Sequence, residues 1–490
     1  MKTIRILAFA LAILYCVSAL PVLAQQKAPA RVPAKKEEPV KKVLADEEFF
    51  PKLRADEEIP YERLERRPFT LSYGGWITPT LIHEEKSDSS STSSNTARLW
   101  VKSTLWQNAF IYARGKYTFT WNFDKPSGSS LDTTDHVYDL DVAYIGMANR
   151  YQNMKLFVGR KFYILGTGLV FSGRGDGIEV SWDNPIVSVK AFGAYTGFLA
   201  KDSNPYKLSD RDISKGSKRI FAGGTLEKDF FNQTAYVLGM AQIDNGRQEM
   251  NVKSRYQSQY YGAGFKGLII DGLDYYAEGV YERGFSYFKG SEDEKALDRQ
   301  LNGTSSNPNM LKNHKKEVSA YAAMAGVNYY LPTILNPAIL FQYAFGSGDG
   351  DRQNYSSSTG NTRGADTGFI YFGTYVGGFA LRPLLANLHI FRLGFSLAPM
   401  SFMKQKFLNR MSVVLRYSYY MKSKIGSPIN YGEAPDHSSD VGHGADAALR
   451  WGIFDDLSFF VNYGLFITGD AYSSSGKTRH FILGGFNLVF

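Results

Sequence analysis

The chain has 490 residues, of which 15% are aromatic, 21% charged and 44% hydrophobic. A mean hydropathy of −0.26 excludes a bundle of transmembrane helices, which needs repeated apolar runs of about 20 residues, and the aromatic content excludes a mostly disordered chain. A single cysteine, Cys16, excludes a disulfide framework and a thiolate metal cluster, and a net charge of +9 over this length does not indicate nucleic-acid binding.

In chain order, Lys2 and Arg5 precede an apolar stretch from Ile6 to Leu20, and Val22-Leu23-Ala24 supplies a cleavage site before Gln25. Residues 1–24 therefore read as a secretory signal peptide. Tyr15 beside Cys16 argues against lipoprotein processing, and the mature chain without cysteine suits an oxidising envelope. Residues 25–67 carry 11 Lys/Arg, 10 Asp/Glu and Pro29, Pro33, Pro39, Pro51 and Pro60. That composition predicts a flexible, disordered periplasmic tail; it fits equally a docking arm for a periplasmic export component or for peptidoglycan. The signal carries +2 and the tail +1, which leaves +6 on residues 68–490.

From Phe69 onward the period is two. Ile111, Ala113, Gly115, Tyr117, Phe119, Trp121 and Phe123 alternate with Tyr112, Arg114, Lys116, Thr118, Thr120 and Asn122. A strand sends successive side chains to opposite faces, so one face here is apolar and the other polar. The same division sets Ala97, Leu99, Val101 and Leu105 against Arg98, Lys102 and Thr104, and Tyr138, Leu140, Val142 and Tyr144 against Asp139 and Asp141. It recurs with Val187, Val189, Ala191 and Tyr195 against Ser188 and Lys190, and with Val413, Leu415, Tyr417 and Tyr419 against Ser412, Arg416 and Ser418. Runs of about 9–13 residues match a tilted bilayer crossing better than sandwich strands of about 5–6. Lys or Arg on the lipid side would cost roughly 2–4 kcal/mol at the midplane, so the charged face belongs in the lumen.

Long polar links are predicted near 83–96, 124–136, 162–176, 197–217, 244–257, 285–315, 346–387, 421–441 and 470–478, and short turns near 107–109, 148–153, 183–185, 228–232, 268–272, 331–337, 399–410 and 452–456. Long and short alternate strictly, which defines eighteen strands with both barrel ends on the periplasmic side. The fold class expected is all-β: a transmembrane, antiparallel, up-and-down β-barrel over 68–490 in the outer membrane of a Gram-negative-type envelope. The last strand alternates His480, Ile482, Gly484, Phe486, Leu488 and Phe490 on one face, a terminal pattern similar to that read by the barrel assembly machinery.

A barrel of this size encloses a channel unless loops fill it. The basic residues expected to line it are Arg98, Lys102, Arg114, Lys116, Lys190, Arg416 and Arg450; the acidic ones are Asp139, Asp141, Glu179, Glu278, Glu282 and Asp446. Cross-strand ion pairs that hold the wall account for such a mixture, as does a solute path with fixed charges. Arg98, Lys102, Arg114 and Lys116 lie on consecutive strands and form a basic stripe suited to a polyanion, which Asp139 and Asp141 on the next strand would neutralise.

From about residue 137 to the end the chain resembles the alginate-export outer-membrane proteins. The similarity rests on Val158-Gly159-Arg160-Lys161, Gly346-Ser347-Gly348-Asp349, Asn387-Leu388, Val441-Gly442-His443-Gly444-Ala445-Asp446, Gly469-Asp470-Ala471-Tyr472 and Phe490. The resemblance implies an eighteen-stranded barrel that lets an anionic polysaccharide leave the periplasm passively through an arginine-rich constriction, with Arg160 carried over by motif position. Lys161 stands where the family usually has a polar amide.

Gly166-Thr167-Gly168 and Gly173-Arg174-Gly175-Asp176-Gly177 lack the helix and lysine of a phosphate loop and read as turns before a strand at Ile178. The seven histidines are dispersed without metal-ligand spacing, and no cofactor is expected. Asp349 and Asp351 lie in a Gly-rich loop of a kind that could hold calcium, but read first as a solvated turn. No nucleophile elbow is present, so an enzyme is not expected. The 346–387 link carries Phe369-Ile370-Tyr371-Phe372 and Tyr375-Val376-Gly377-Gly378-Phe379, too apolar for a free external loop; it is expected to fold into the lumen and narrow the channel. The functions expected are an export porin for alginate or a related exopolysaccharide, an uptake porin, or a surface adhesin or enzyme barrel.

Overall fold

The structure is a computed structural model that describes residues 69–490 apart from 86–88, 107, 124–133, 150–152, 199–207, 209–217, 246–255, 289–313, 351, 353–363, 430–432, 435–436 and 473–477. The expected signal peptide and tail lie outside the described residues. The strands are β1 (Thr70–Glu85), β2 (Ser89–Trp106), β3 (Ala109–Asn122), β4 (Thr134–Asn149), β5 (Met154–Leu165), β6 (Phe171–Asp183), β7 (Ser188–Thr196), β8 (Arg219–Phe230) and β9 (Gln233–Asp244). They continue as β10 (Tyr256–Ile270), β11 (Leu273–Phe288), β12 (His314–Tyr330), β13 (Ala338–Gly346), β14 (Leu388–Leu397), β15 (Met411–Lys422), β16 (Asp440–Gly452), β17 (Leu457–Thr468) and β18 (Arg479–Val489), with a single helical turn, α1 (Lys406–Asn409), between β14 and β15.

Each strand pairs antiparallel with the next, and β1 pairs with β18, so the 18-stranded sheet closes on itself. The expected fold class and strand number hold. Closure leaves no edge strand, which is what permits a sheet to sit in hydrocarbon with every backbone group paired. At the seam, Gly75 N–H donates to the Phe490 carbonyl at 2.8 Å and Phe490 N–H donates back to Gly75 at 2.9 Å. Deleting Phe490 removes both bonds, each worth about 0.5–1.5 kcal/mol, together with the terminal aromatic ring. The expected result is a lower yield of the folded, heat-modifiable band on gels, with unfolded chain accumulating in its place.

The outer face is apolar as alternation predicts: Leu99 is 62% exposed and Leu393 53%, whereas their inward neighbours Arg98 and Arg392 turn to the lumen. The predicted face of β4 needs correction. Tyr138 and Leu140 do face outward, but Val142 and Tyr144 are buried inside, packed with Phe110 and Tyr112 and against Trp100 and Phe157. The cause is a β-bulge: Arg114 pairs with Val142 while Gly115 pairs with Leu140, so Asp141 is the extra residue. One inserted residue exchanges the faces of everything beyond it.

Two links predicted to be long are largely strand. β1 and β2 stay paired up to Glu85↔Ser89, through a run of small polar residues that carries no apolar alternation. β5 and β6 remain paired up to Leu165↔Phe171. Gly166-Thr167-Gly168 is in the connecting turn as expected, whereas Gly173–Gly177 is not a turn but part of β6.

Candidate functional site

Among the described residues, two segments stand out as folding into the lumen. The first is the β5–β6 tip. The β4–β5 ladder stops at Ala143↔Arg160 and the β6–β7 ladder at Asp176↔Tyr195, so beyond those points the hairpin has left both neighbours. Its end carries Leu165, Leu169, Val170 and Phe171, all 2% exposed or less. Such residues cannot face water, and they pack inward: Phe171 lies against Phe192 and Phe221, with ring centroids 5.4 and 4.4 Å away. Gly159 stands where the strands part, at φ 130°, and a Cβ there would lie 2.4 Å from the Ala143 carbonyl oxygen, which is why the motif requires glycine.

The second is the described part of residues 347–387 (347–350, 352 and 364–387), between β13 and β14, which enters the barrel as its apolar sequence predicts. Its base is pinned by the two family-like fragments. Asn387 N–H donates to the Ser347 carbonyl at 3.2 Å, and the Asn387 amide donates to the carbonyls of Ser427 at 2.7 Å and Lys424 at 3.0 Å. A Cβ at Gly348 would meet Asn387 Oδ1 at 2.0 Å. Above the base, Asp349 accepts from Thr367 N–H at 2.7 Å and Arg352 donates to Asp366 at 2.6 Å. Burial opposes the Arg352 charge, but the Asp366 carboxylate outweighs it and raises the guanidinium pKa above its usual value.

The segment crosses the lumen. Phe372 N–H donates to Val170 at 2.9 Å, joining it to the β5–β6 tip. On the far wall the Val376 carbonyl accepts from Arg392 of β14 at 2.6 Å, the Gly377 carbonyl accepts from Tyr420 of β15 at 2.7 Å, and Phe379 N–H donates to Asp446 of β16 at 3.0 Å. Arg382 pairs with Glu84 of β1.

Three of the predicted lumenal acids serve as anchors for these segments. Glu278 accepts from the Thr167 amide at 2.9 Å, the Thr167 hydroxyl at 2.8 Å and Tyr236 at 2.7 Å. Four residues on, along the same face of β11, Glu282 accepts from Ile370 N–H at 2.9 Å, Tyr256 at 2.5 Å and Tyr260 at 2.9 Å. Asp446 holds Phe379. The wall-ladder expectation is thus corrected for these residues: an inward loop brings amides that need acceptors, and these carboxylates supply them. Replacing Glu278 and Glu282 together by alanine strands buried donors at about 1–3 kcal/mol each. The expected result is a barrel that still folds but shows larger and noisier single-channel currents.

Of the expected basic stripe, Arg98, Arg114 and Lys116 gather around shared carboxylates, whereas Lys102 does not join them. Asp141 accepts from Arg98 at 3.2 Å and Arg114 at 2.8 Å through one oxygen and from Arg174 at 2.5 Å through the other. Asp139 accepts from Arg174 at 2.7 Å, and Lys116 lies in the field of both aspartates. Arg160 is 4% exposed and fills the gap where β4 and β5 part. It donates to the Leu140 carbonyl and to Asp176, both at 2.8 Å. Four arginines, Arg98, Arg114, Arg160 and Arg174, therefore share three carboxylates, and a fifth cation, Lys116, stands cross-strand from Asp139. Arg98 and Arg114 also lie over the Trp76 ring, 5.6 and 5.2 Å from its centroid.

The other predicted cations are dispersed. Lys102 sits over Phe110, and Lys190 and Lys161 flank Glu179 at 3.5 and 2.7 Å. Arg416 is cross-strand from Asp446, and Arg450 donates to Asn462 at 2.8 Å. Arg174, Arg392 and Trp76 were missed. Arg392 was legible, since Phe391, Leu393 and Phe395 mark the outer face beside it; Arg174 was hidden in a glycine run that reads as a turn.

The sequence description of the family Alginate export matches residues 214–484, more than half of the chain. The chain belongs to the alginate-export family. The match covers the inward segment, Glu278, Glu282, Arg392, Arg416 and Asp446 but begins after the cluster of Arg98, Arg114, Arg160 and Arg174. Among solved structures, the fold is similar to Pseudomonas aeruginosa OccK5 (OpdH), with TM-score 0.54, 11% identity and coverage of 86% of this chain and 98% of that one. It is similar to Acinetobacter baumannii OccAB1 (TM-score 0.50, 11% identity, 88% and 99% covered). Pseudomonas aeruginosa OccK2 (OpdF), solved in complex with glucuronate, gives TM-score 0.51 at 10% identity, with 86% and 96% covered. No curated protein gives a significant match. This alginate-export family member is an outer-membrane porin: a transport channel whose outer face meets the lipid bilayer.

Proposed function

We propose that this barrel lets an anionic exopolysaccharide, alginate or a related carboxylated polymer, leave the periplasm passively, drawn through the lumen by the basic wall. The observation that carries this is the surplus of charge on that wall, five cations against three carboxylates. Wall dipoles and low-dielectric surroundings focus such a field into the path, while the carboxylates hold the arginines extended. Arg98, Arg114, Lys116, Arg160 and Arg174 would set the potential on one side and Arg392 and Arg416 on the other; Lys102, Lys190 and Arg450 would extend it. Periplasmic export components that feed the polymer, and the barrel assembly machinery that reads Phe490, are the protein partners this reading requires. A strain lacking the protein should retain polymer in its periplasm, and normal release would overturn the proposal.

The second reading is uptake of a small carboxylated solute. The close pinning of the two inward segments, which leaves less room than an open pore, favours it. A deletion strain would then show a nutrient-permeability defect with polymer release intact.

A further inference from the structure

Five of the seven histidines, dispersed in sequence, come together on the outside of the barrel. Four form one repeated unit in which a tyrosine hydroxyl meets His Nδ1 across a strand pair. The pairs are Tyr117–His136 at 2.9 Å, Tyr343–His389 at 2.8 Å, Tyr417–His443 at 2.7 Å and Tyr463–His480 at 3.0 Å. The registers are the same. Each histidine lies opposite the residue two beyond its tyrosine: Phe119, Phe345, Tyr419 and Leu465. Each histidine also lies near the start of β4, β14, β16 or β18, just after a long connection, which is the extracellular end. The fifth, His83 of β1, bonds Ser91 of β2 at 2.9 Å and pairs with outward-facing Ile482. In barrel order these strands are β13 to β18 and then β1 to β4, an unbroken arc of neighbours.

An interfacial girdle needs only aromatic rings with a polar tip. Here a second property is added. The Tyr–His contact runs in either direction according to the tautomer; with the phenol as donor the ring proton lies on Nε2, and a protonated ring carries a proton there too. In both states Nε2 is a donor, and among the described residues no hydrogen bond to Nε2 is formed by these four histidines, all of which are at least partly exposed. A row of donors at the water edge of hydrocarbon suits strong, charged acceptors, which bind such donors more tightly than water does. Phosphate oxygens are the strong acceptors at that depth.

We propose that this arc holds the phosphorylated headgroups of outer-leaflet lipid, one headgroup region per Tyr–His hairpin, and so fixes one side of the barrel against its lipid neighbours. The test uses the full chain and a variant with His136→Phe, His389→Phe, His443→Phe and His480→Phe, which keeps four aromatic rings in the girdle. Each is reconstituted in phosphatidylcholine nanodiscs with lipid A or with dephosphorylated lipid A, and the glycolipid retained after detergent extraction is counted by native mass spectrometry. The expected result is retention of lipid A by the natural chain, several-fold less retention of the dephosphorylated form, and several-fold less lipid A on the variant. Equal retention of the two lipids by the natural chain would overturn the proposal even if the variant failed to fold. So would a variant that keeps its lipid A but loses self-association, which would assign the arc to a second copy of the barrel.

Discussion

Deleting residues 352–380 should raise single-channel conductance several-fold in planar bilayers. The segment spans the lumen from the β5–β6 tip to β14–β16, and its hydrogen bonds to Val170, Glu282, Arg392, Tyr420 and Asp446 place it across the path. The deletion spares the base formed by Ser347 and Asn387, so β13 and β14 keep a short hairpin connection and the barrel should still fold. It also strands the anchors. Glu282 and Asp446 lose their loop amides but gain access to water in the widened lumen, which limits the stability lost. Unchanged conductance would show that ions pass elsewhere.

Replacing Arg98, Arg114 and Arg174 with glutamine and Asp141 with asparagine should abolish anion preference and leave polymer in the periplasm. The four changes remove three positive charges and one negative, and Lys116 and Arg160 then face Asp139 and Asp176 in equal number. The asparagine is needed: stripping its arginines while keeping the buried Asp141 carboxylate, 1% exposed, would cost about 3–5 kcal/mol as an uncompensated buried charge. Asp141→Asn alone works in the opposite sense, increasing anion preference, because the guanidinium charges remain. Reversal potentials under a salt gradient read both signs. A cation-preferring natural protein would sink the polyanion reading, whereas an anion-preferring one with normal polymer release would point to small-solute uptake.

Much of the barrel could be read without coordinates. The 346–387 link is bounded in the structure by Gly346 and Leu388, and the 331–337 turn by Tyr330 and Ala338. Both are places where apolar alternation stops abruptly because the chain leaves hydrocarbon. Strand ends near the loops were less legible, since Ser89–Asn95 is a run of small polar residues with no apolar alternation to mark a strand. The faces failed at Asp141, where a single extra residue turns Val142 and Tyr144 inward without any compositional trace. The roles of Glu278, Glu282 and Asp446 were hidden for a different reason. Their orientation into the lumen follows from parity, but their partners, Thr167, Ile370 and Phe379, lie far away in sequence.

What the chain determines on its own is the surface that meets lipid. Contact with hydrocarbon acts on every second residue independently, so it is written locally, strand by strand, and the parity of long and short connections then sets the strand number and the side on which the ends lie. What only the tertiary structure decides is the interior. Whether an inward arginine faces solute, a neighbouring aspartate or a loop carbonyl depends on where the β5–β6 tip and residues 347–387 come to rest. That position is set by hydrogen-bond acceptors and apolar rings from strands distant in sequence, contacts that no local period can encode.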